Sequence, residues 1–472
     1  MIITQMRERP TNARPTAIRV AVLAAGLAGC VSLPPAQQQP VDADLDACAA
    51  VDLDADGYVN CGTPRFDCDD GDTAIHPGAL EVCGDGIDQD CRDGDLPCAQ
   101  ALAGNTIGAA GDRWTVNNAA LAITFDRGVT ADGVTGAIEL RDLAGSGAQL
   151  MMDDPLPSDR LTGVTRFPTT ASWRAVGQPP SFSELAVGPA VVRIVQRWND
   201  GGDTGSSEYT IYPDGRIHRH DEVEVAPSSD QYLVAFITLD PAALNYADWQ
   251  GSPAPEPFDI VGVAYEPHYE APPTGAASYV CAFHATTGDR IGLAARIPGG
   301  ADGLRVSESI RSGVEVAALV LDWVRLRAVA SGMYRADLMF HVGHGSELRP
   351  CVAVGPYADA FLQPPTLAVT APAALRLDAP EDADDDGYLE RVGAYAVDAN
   401  GALQVTMSPT AGLPSLAVVI SEVDGSHDPV LLRDGVILVR GRDYHLQVEG
   451  GDVWVVLAAP VGAGAALRLE WP

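Results

Sequence analysis

The 472-residue chain has no lysine. That absence removes Schiff-base chemistry and the phosphate anchor of a P-loop. Arginine supplies all 30 basic side chains against 64 acidic ones, for a formal net charge of −34. With no basic footprint to meet phosphates, a nucleic-acid partner is set aside. The acidic balance suits divalent cations and exported surroundings instead. Long hydrophobic runs are also missing, since none reaches the roughly 20 residues of a membrane-spanning helix. No G-x-S-x-G nucleophile elbow occurs. Turn-forming residues are abundant: 48 Gly and 35 Pro, in a chain 46% hydrophobic and 20% charged. That mixture reads as globular and all-β, and the length suits about two to four domains.

The N-terminus carries Arg7, Arg9, Arg14 and Arg19, followed by a short apolar stretch over residues 20–29. The stretch is too short to cross a bilayer and fits the apolar core of an export signal. It ends in Leu27-Ala28-Gly29-Cys30, which resembles a bacterial lipobox. The resemblance implies cleavage before Cys30 and lipid on its sulfur. Residues 1–29 then form a lipoprotein signal peptide, and the Pro/Gln-rich residues 30–41 a lipidated tether. Val31 and Ser32 follow the cysteine, with no Asp, which in the lipoprotein sorting pattern favours the outer membrane. The expected location is therefore exported and lipid-anchored, at the outer membrane or cell surface.

Residues 42–100 hold fifteen Asp and one Glu against two Arg, together with Cys48, Cys61, Cys68, Cys83, Cys91 and Cys98. Such charge density repels itself into disorder unless cations neutralise it. In the first of two loops, Asp52, Asp54 and Asp56 take positions 1, 3 and 5 of an EF-hand-type calcium loop, with Gly57 at the sharp turn and the Tyr58 carbonyl at 7. Thr63 stands where the closing Glu belongs, so Asp67 or Asp69 must supply that ligand. A second loop has Asp70 and Asp72 at 1 and 3 and Glu81 at 12, and Asp85, Asp88 and Asp90 follow. A solvated acidic linker is the plain alternative. Six cysteines in an exported module read as disulfides, with pairing left open. Residues 52–94 resemble the MopE-type metal-binding repeat of exported bacterial proteins, departing at Arg92, where the family has Asp or Asn. The family name implies copper. The hard carboxylates argue for calcium, with copper less favoured. Disulfides and calcium would replace a core that so short a segment cannot build.

Residues 105–370 show recurring β-branched or alternating runs at 121–125, 190–196, 208–212, 216–225 and 232–239. Asp200-Gly201-Gly202-Asp203 and Pro213-Asp214-Gly215 separate them, as antiparallel hairpins require. A short helix is expected at 355–363. The stretches WTVNNAALAITFD, GVTGAIELRDLAGSGAQLM and EYTIYPDGRIHRHDEVEV resemble galactose-mutarotase-like and polysaccharide-lyase-type supersandwiches, over about residues 110–345. The resemblance implies a carbohydrate-handling fold, not an activity. Arg216, His218 and His220 share one face of a strand and are the candidate catalytic row of a polysaccharide lyase or sugar epimerase. A solvent-facing polar strand edge is the simpler reading of that row. His341 and His344, three apart, fall on opposite faces. Trp173, Trp198, Trp249, Tyr265 and Tyr269 are aromatic platform candidates for sugars. Cys281 and Cys351 are expected to pair.

Residues 371–472 give strands at 403–407, 416–421, 429–433, 436–439, 444–448, 453–458 and 465–471, which fits a smaller immunoglobulin-like sandwich. At its start Asp382, Asp384, Asp386, Gly387 and Tyr388 repeat the loop pattern, with Glu390 at position 9. The expected fold is therefore all-β, a large supersandwich followed by a smaller sandwich and preceded by a disulfide- and calcium-stabilised module. The expected role is a surface protein binding extracellular polysaccharide. An enzyme acting on such glycans is the first alternative, and a structural adhesin for protein the second.

Overall fold

The computed structural model describes a few residues between 53 and 87. With breaks in several loops, it also describes residues 104–150, 163–168, 181–257, 279–345 and 350–471. The chain divides into two compact units, Met1–Pro77 and Gly78–Pro472. Cys30, Cys48, Cys61, Cys83, Cys91, Cys98, Asp52, Asp56, Tyr58, Asp67, Glu81, Asp85, Asp88 and Asp90 lie outside the described residues, as do Trp173, Tyr265 and Tyr269. Among the described residues no helix is long and apolar enough to cross a membrane.

The large unit is nearly all β, as expected. Its centre is a nine-stranded antiparallel sheet. In spatial order the strands are Glu256–Pro257, Tyr246–Trp249, Val280–Phe283, Asp289–Arg296, Gly332–His344, Arg216–Val225, Asp203–Ile211, Val192–Asp200 and Ser181–Val187. The hairpins follow the turn chemistry. Asp200 pairs with Asp203, and Gly215 closes the Pro213-Asp214-Gly215 turn at φ +92, where a side chain would meet the Val342 carbonyl. On one face Ile194, Tyr209, Ile217, Leu293 and Phe340 pack against Ile123, Phe125 and Leu140. Those three belong to a four-stranded meander, Thr106–Ala110, Arg113–Asn117, Leu121–Asp126 and Gly136–Asp142. The two layers bury a shared apolar interior, as a sandwich must. A further four-stranded sheet is ordered Arg305–Ile310, Ala317–Arg327, Gln231–Leu239, Gly163–Pro168.

The nine-stranded sheet is buried on its second face as well. Cys281, Phe283, Ala294 and Met339 join a core with Val354, Ala358 and Phe361 of the segment around the helix Gly355–Leu362. A disulfide ties Cys281 of the sheet to Cys351 just before that helix. The helix falls where it was expected.

Beyond the helix stands a second sandwich. One sheet runs Leu367–Val369, Gln404–Pro409, Leu467–Glu470, Val430–Arg433, Val436–Ile437; the other runs Ala374–Leu375, Ala394–Asp398, Ala417–Ser421, Asp452–Leu457, Tyr444–Glu449. Strand Leu367–Val369 pairs with Gln404–Pro409, so this sheet begins before residue 371. Strands Ala394–Asp398 and Ala417–Ser421 pair in parallel, a departure from the antiparallel expectation. Ala417–Ser421 is buried throughout. Its alternate residues face two cores: Val418 and Ile420 meet Val405 and Leu469 inside the small sandwich, while Ala417 and Val419 meet Ala186, Val191 and Tyr212 of the large one. Continuous apolar sequence is the mark of such a two-sided strand.

Candidate metal centre and the buried polar row

The loop at the start of the small sandwich brings Asp382, Asp384, Asp386 and Glu390 together, each with an oxygen within 4.8 Å of the others. Asp382 organises it. Its Oδ1 accepts from the Asp384 and Asp386 amides (both 3.3 Å), and its Oδ2 accepts from the Gly387 amide (2.7 Å). Asp386 Oδ1 accepts from the Tyr388 amide (2.8 Å). Gly387 turns the chain at φ +85. Glu390 is almost fully buried. Arg296, at the end of its sheet strand, donates to Glu390 (2.7 Å), to Asp384 (3.4 Å) and to the Phe361 and Leu362 carbonyls (3.2 Å each). The loop thus meets the large sheet and the helix at one point. One guanidinium faces four carboxyl groups. Burial, then the Asp384 and Asp382 charges, push the Asp386 carboxyl above the usual carboxylate range. A divalent cation would relieve that excess, and an all-oxygen set suits a hard one.

In the first unit Asp70, at position 1 of the second loop, is buried and its Oδ1 accepts the Leu53 amide of the first loop (3.3 Å). The amides of Gly71 and Asp72 donate to the Asp69 carbonyl, at 2.7 and 2.9 Å. Asp54 is half-buried, whereas Asp69 and Asp72 are exposed. Among the described residues Asp70 joins the two loops, while Asp67 lies outside them. Cys68 is disulfide-bonded.

The Arg216, His218, His220 row does share one strand face, but the reading of that face as solvent-exposed is overturned. All three are at most 7% exposed. The small sandwich and the helix cover them. Arg216 donates to Asp214 (2.7 Å) and Ser415 Oγ (2.8 Å), with its guanidinium 4.4 Å from the centre of the Tyr212 ring. His218 sits edge-on between Tyr212 and Phe361, 5.8 and 5.5 Å from their ring centres. His220 Nδ1 pairs with Asp337 at 2.6 Å. Arg216, His218, Tyr357, Phe361 and Tyr388 line a cavity of about 20 Å³, room for one water. A base that must reach a polymer cannot do so from there. The alternation was read correctly; what covers the strand comes from residues as far as 199 positions further along the chain, and it leaves no local signal.

His341 and His344 do face opposite ways. His341 is buried against Tyr357, at 4.1 Å between rings, whereas His344 is exposed. Trp249 is half-buried against the large core, and the side chain of Trp198 lies outside the described residues.

His218 and His341 are both held down to about 3, by burial first and then by neighbouring arginines, Arg216 for His218 and Arg290 first for His341. Their folded values lie below the unfolded value near 6.5, so the stability they contribute is complete above about pH 6.5 and is lost as pH falls toward the folded values. Between those limits each adds a slope of about 1.4 kcal/mol per pH unit. Glu208 reinforces the trend at lower pH. Burial raises its carboxyl, but Arg193 and Arg391 outweigh this and hold it below its ordinary value. Its contribution is therefore lost below the unfolded carboxylate range. The expected result is a urea midpoint that falls steadily from pH 7 to pH 4, and a flat midpoint over that range would contradict the buried neutral histidines.

Residues 67–95 match the family model Cu-binding_MopE, described as "Putative metal-binding motif". The match starts at Asp67, so the first acidic loop lies outside it. No curated protein matches the chain. Among solved structures, the heparinase III-BT4657 gene product is 10% identical at TM-score 0.31, over 60% of this chain and 40% of that one. A Paenibacillus xanthan lyase is 9% identical at TM-score 0.36, over 80% and 38%. A GalM/aldose epimerase homologue from C. elegans is 10% identical at TM-score 0.32, over 51% and 99%. The chain spans less than half the length of these lyases. At that similarity the fold description rests on the strand order above.

Proposed function

We propose that the chain is an exported protein, lipid-anchored at Cys30, in which calcium held by acidic loops braces β-sandwiches that bind extracellular polysaccharide without cleaving it. The observation that carries this reading is the Asp382–Glu390 loop, where four carboxyl groups converge where the small sandwich meets Arg296 and the helix. Calcium fits better than copper because no imidazole or sulfur joins the set. Support for binding rather than cleavage is the burial of Arg216, His218 and His220. Support for a glycan is the proline-rich aromatic segment 249–273, whose rings suit the apolar faces of pyranoses.

Two measurements test this. Calcium should raise the melting temperature of the sandwiches, since a ligand at 100 times its Kd adds about 2.7 kcal/mol. Asp386→Asn should abolish the part of that rise due to this loop without lowering stability in EDTA. An equal calcium response in wild type and variant removes the loop from the reading. For the ligand, the chain is run through gels holding neutral and acidic polysaccharides, with calcium present. Retardation by one of them supports the glycan. No retardation across the panel transfers weight to a protein-binding adhesin. Growth of an unsaturated-uronide absorbance would instead favour the lyase alternative.

A further inference from the structure

Three residues that no motif contains meet at one edge of the large sandwich. Asp142 ends the last strand of the four-stranded meander. Asp289 begins a strand of the nine-stranded sheet, and His344, its register partner, ends the neighbouring one. One ligand atom from each lies within 4.8 Å of the other two. We propose that Asp142, Asp289 and His344 form a binding site for a borderline first-row dication, best Zn²⁺, separate from the acidic loops.

The first argument is geometric. Gly145 lies in the turn after Asp142. A side-chain carbon placed on it would stand 2.3 Å from Asp289 Oδ1, 2.6 Å from His344 Nδ1 and 2.9 Å from Asp142 Oδ2. The three atoms therefore converge on the space beside Gly145, which the side chain of any other residue would invade. Glycine keeps that space open, and an ion would sit among the three atoms farther out from the Gly145 backbone.

The second argument is an unsatisfied group. Asp142 has no solvent exposure, and its Oδ2 meets no hydrogen-bond donor. Its other oxygen accepts the Gly145 amide (3.0 Å), which aims Oδ2 at that space. A buried carboxylate oxygen without a donor is costly, and a bound cation removes that cost.

Supporting bonds surround the site. Asp289 is oriented by the Ser146 amide (2.8 Å), the Ser146 hydroxyl and the Thr287 hydroxyl (2.7 Å). The His344 carbonyl accepts from Arg290 (2.9 Å). Metal ligands are held by such outer bonds. Two carboxylates and a neutral imidazole balance a dication and leave a coordination position toward the exposed His344 side. Calcium wants six to eight oxygens, whereas a mixed set of three with imidazole suits zinc. Because Asp142 belongs to one layer and Asp289 and His344 to the other, the ion would pin the two sheets together.

The test uses the full chain, stripped with EDTA and then held in saturating calcium so that the acidic loops are filled. Zn²⁺ is titrated by equilibrium dialysis and followed by melting temperature. Wild type should bind one more Zn²⁺ than Asp142→Asn, His344→Gln or Gly145→Ala, and only wild type should gain stability from it. Asp142→Asn should be at least as stable as wild type in EDTA, since its amide can donate to Asp289. That combination separates ligand loss from misfolding, and the exposed His344→Gln provides a second folded variant. Equal zinc stoichiometry and equal zinc-induced shifts in wild type and the folded variants overturn the site.

Discussion

Asp221→Ala is expected to destabilise the large unit by about 3–5 kcal/mol, the range for removing one partner of a buried ion pair. Arg219 has no solvent exposure and Asp221 almost none. The Arg219 Nε donates to Asp221 Oδ1 at 2.7 Å, Ser207 Oγ donates to the same oxygen at 2.6 Å, and Arg219 Nη2 donates to Ser207 at 3.2 Å. The guanidinium also lies 5.4 Å from the centre of the Tyr209 ring. These residues share the strand face of Ile217 and Val223, which belongs to the sandwich core. Truncating the carboxylate removes the counter-charge that Asp221 gives this buried cation. The paired replacement Arg219→Met with Asp221→Leu behaves differently, because it removes both charges together. It is expected to be neutral or to stabilise by about 1–4 kcal/mol. Urea unfolding of wild type, single and double variants reads both effects. A single variant as stable as wild type would show that the pair is not buried as described.

The same strand shows where sequence reading succeeds and where it stops. Its limits at 216–225 and its alternation were legible, because β-branched and polar residues alternate between a Pro-Asp-Gly turn and an acidic stretch. Which part of each face meets solvent was not legible. Arg216, His218 and His220 are buried, whereas Glu222 and Glu224 on the same face are half-buried and exposed; the odd-numbered residues Ile217 to Val223 are buried, and charges occur on both faces. Polar residues at alternate positions normally mark a wet face; here ion pairs such as Arg216–Asp214 and Arg219–Asp221 allow burial instead. The Asp382–Glu390 cluster was legible because all four carboxyl groups lie within nine consecutive residues. Asp142, Asp289 and His344 were missed because they come from three distant strand ends, and only the pairing of the sheets brings them together. The seven strands expected in the small sandwich fall within two residues of those observed, but Ala374–Leu375, Tyr388–Leu389 and Ala394–Asp398 were not expected. The parallel pairing of Ala394–Asp398 with Ala417–Ser421 was not expected either, since strand patterns carry no record of partner direction.

Gly393→Ala is expected to cost about 2–4 kcal/mol, from a left-handed backbone and a steric overlap acting together. Gly393 has φ +73, a conformation that alanine adopts only with strain. An added carbon would stand 2.1 Å from His218 Cε1 and 2.2 Å from its Nε2. The ring cannot retreat, because Tyr212 and Phe361 flank it and Tyr212 is itself fixed by a 2.7 Å bond to the Val392 carbonyl. Relief must come from moving the small sandwich away from the nine-stranded sheet. The variant should therefore unfold at lower urea and expose the covered row to proteases and hydrophobic dyes. His218→Ala in the same chain removes the overlapping ring but not the backbone strain. The double variant should fall short of additivity by about 0.5–3 kcal/mol. If the two losses simply add, His218 and Gly393 do not touch, and the close contact of the two sandwiches over the row is wrong. Non-additivity would place the histidine as a packing element between the sandwiches and not as a base awaiting substrate.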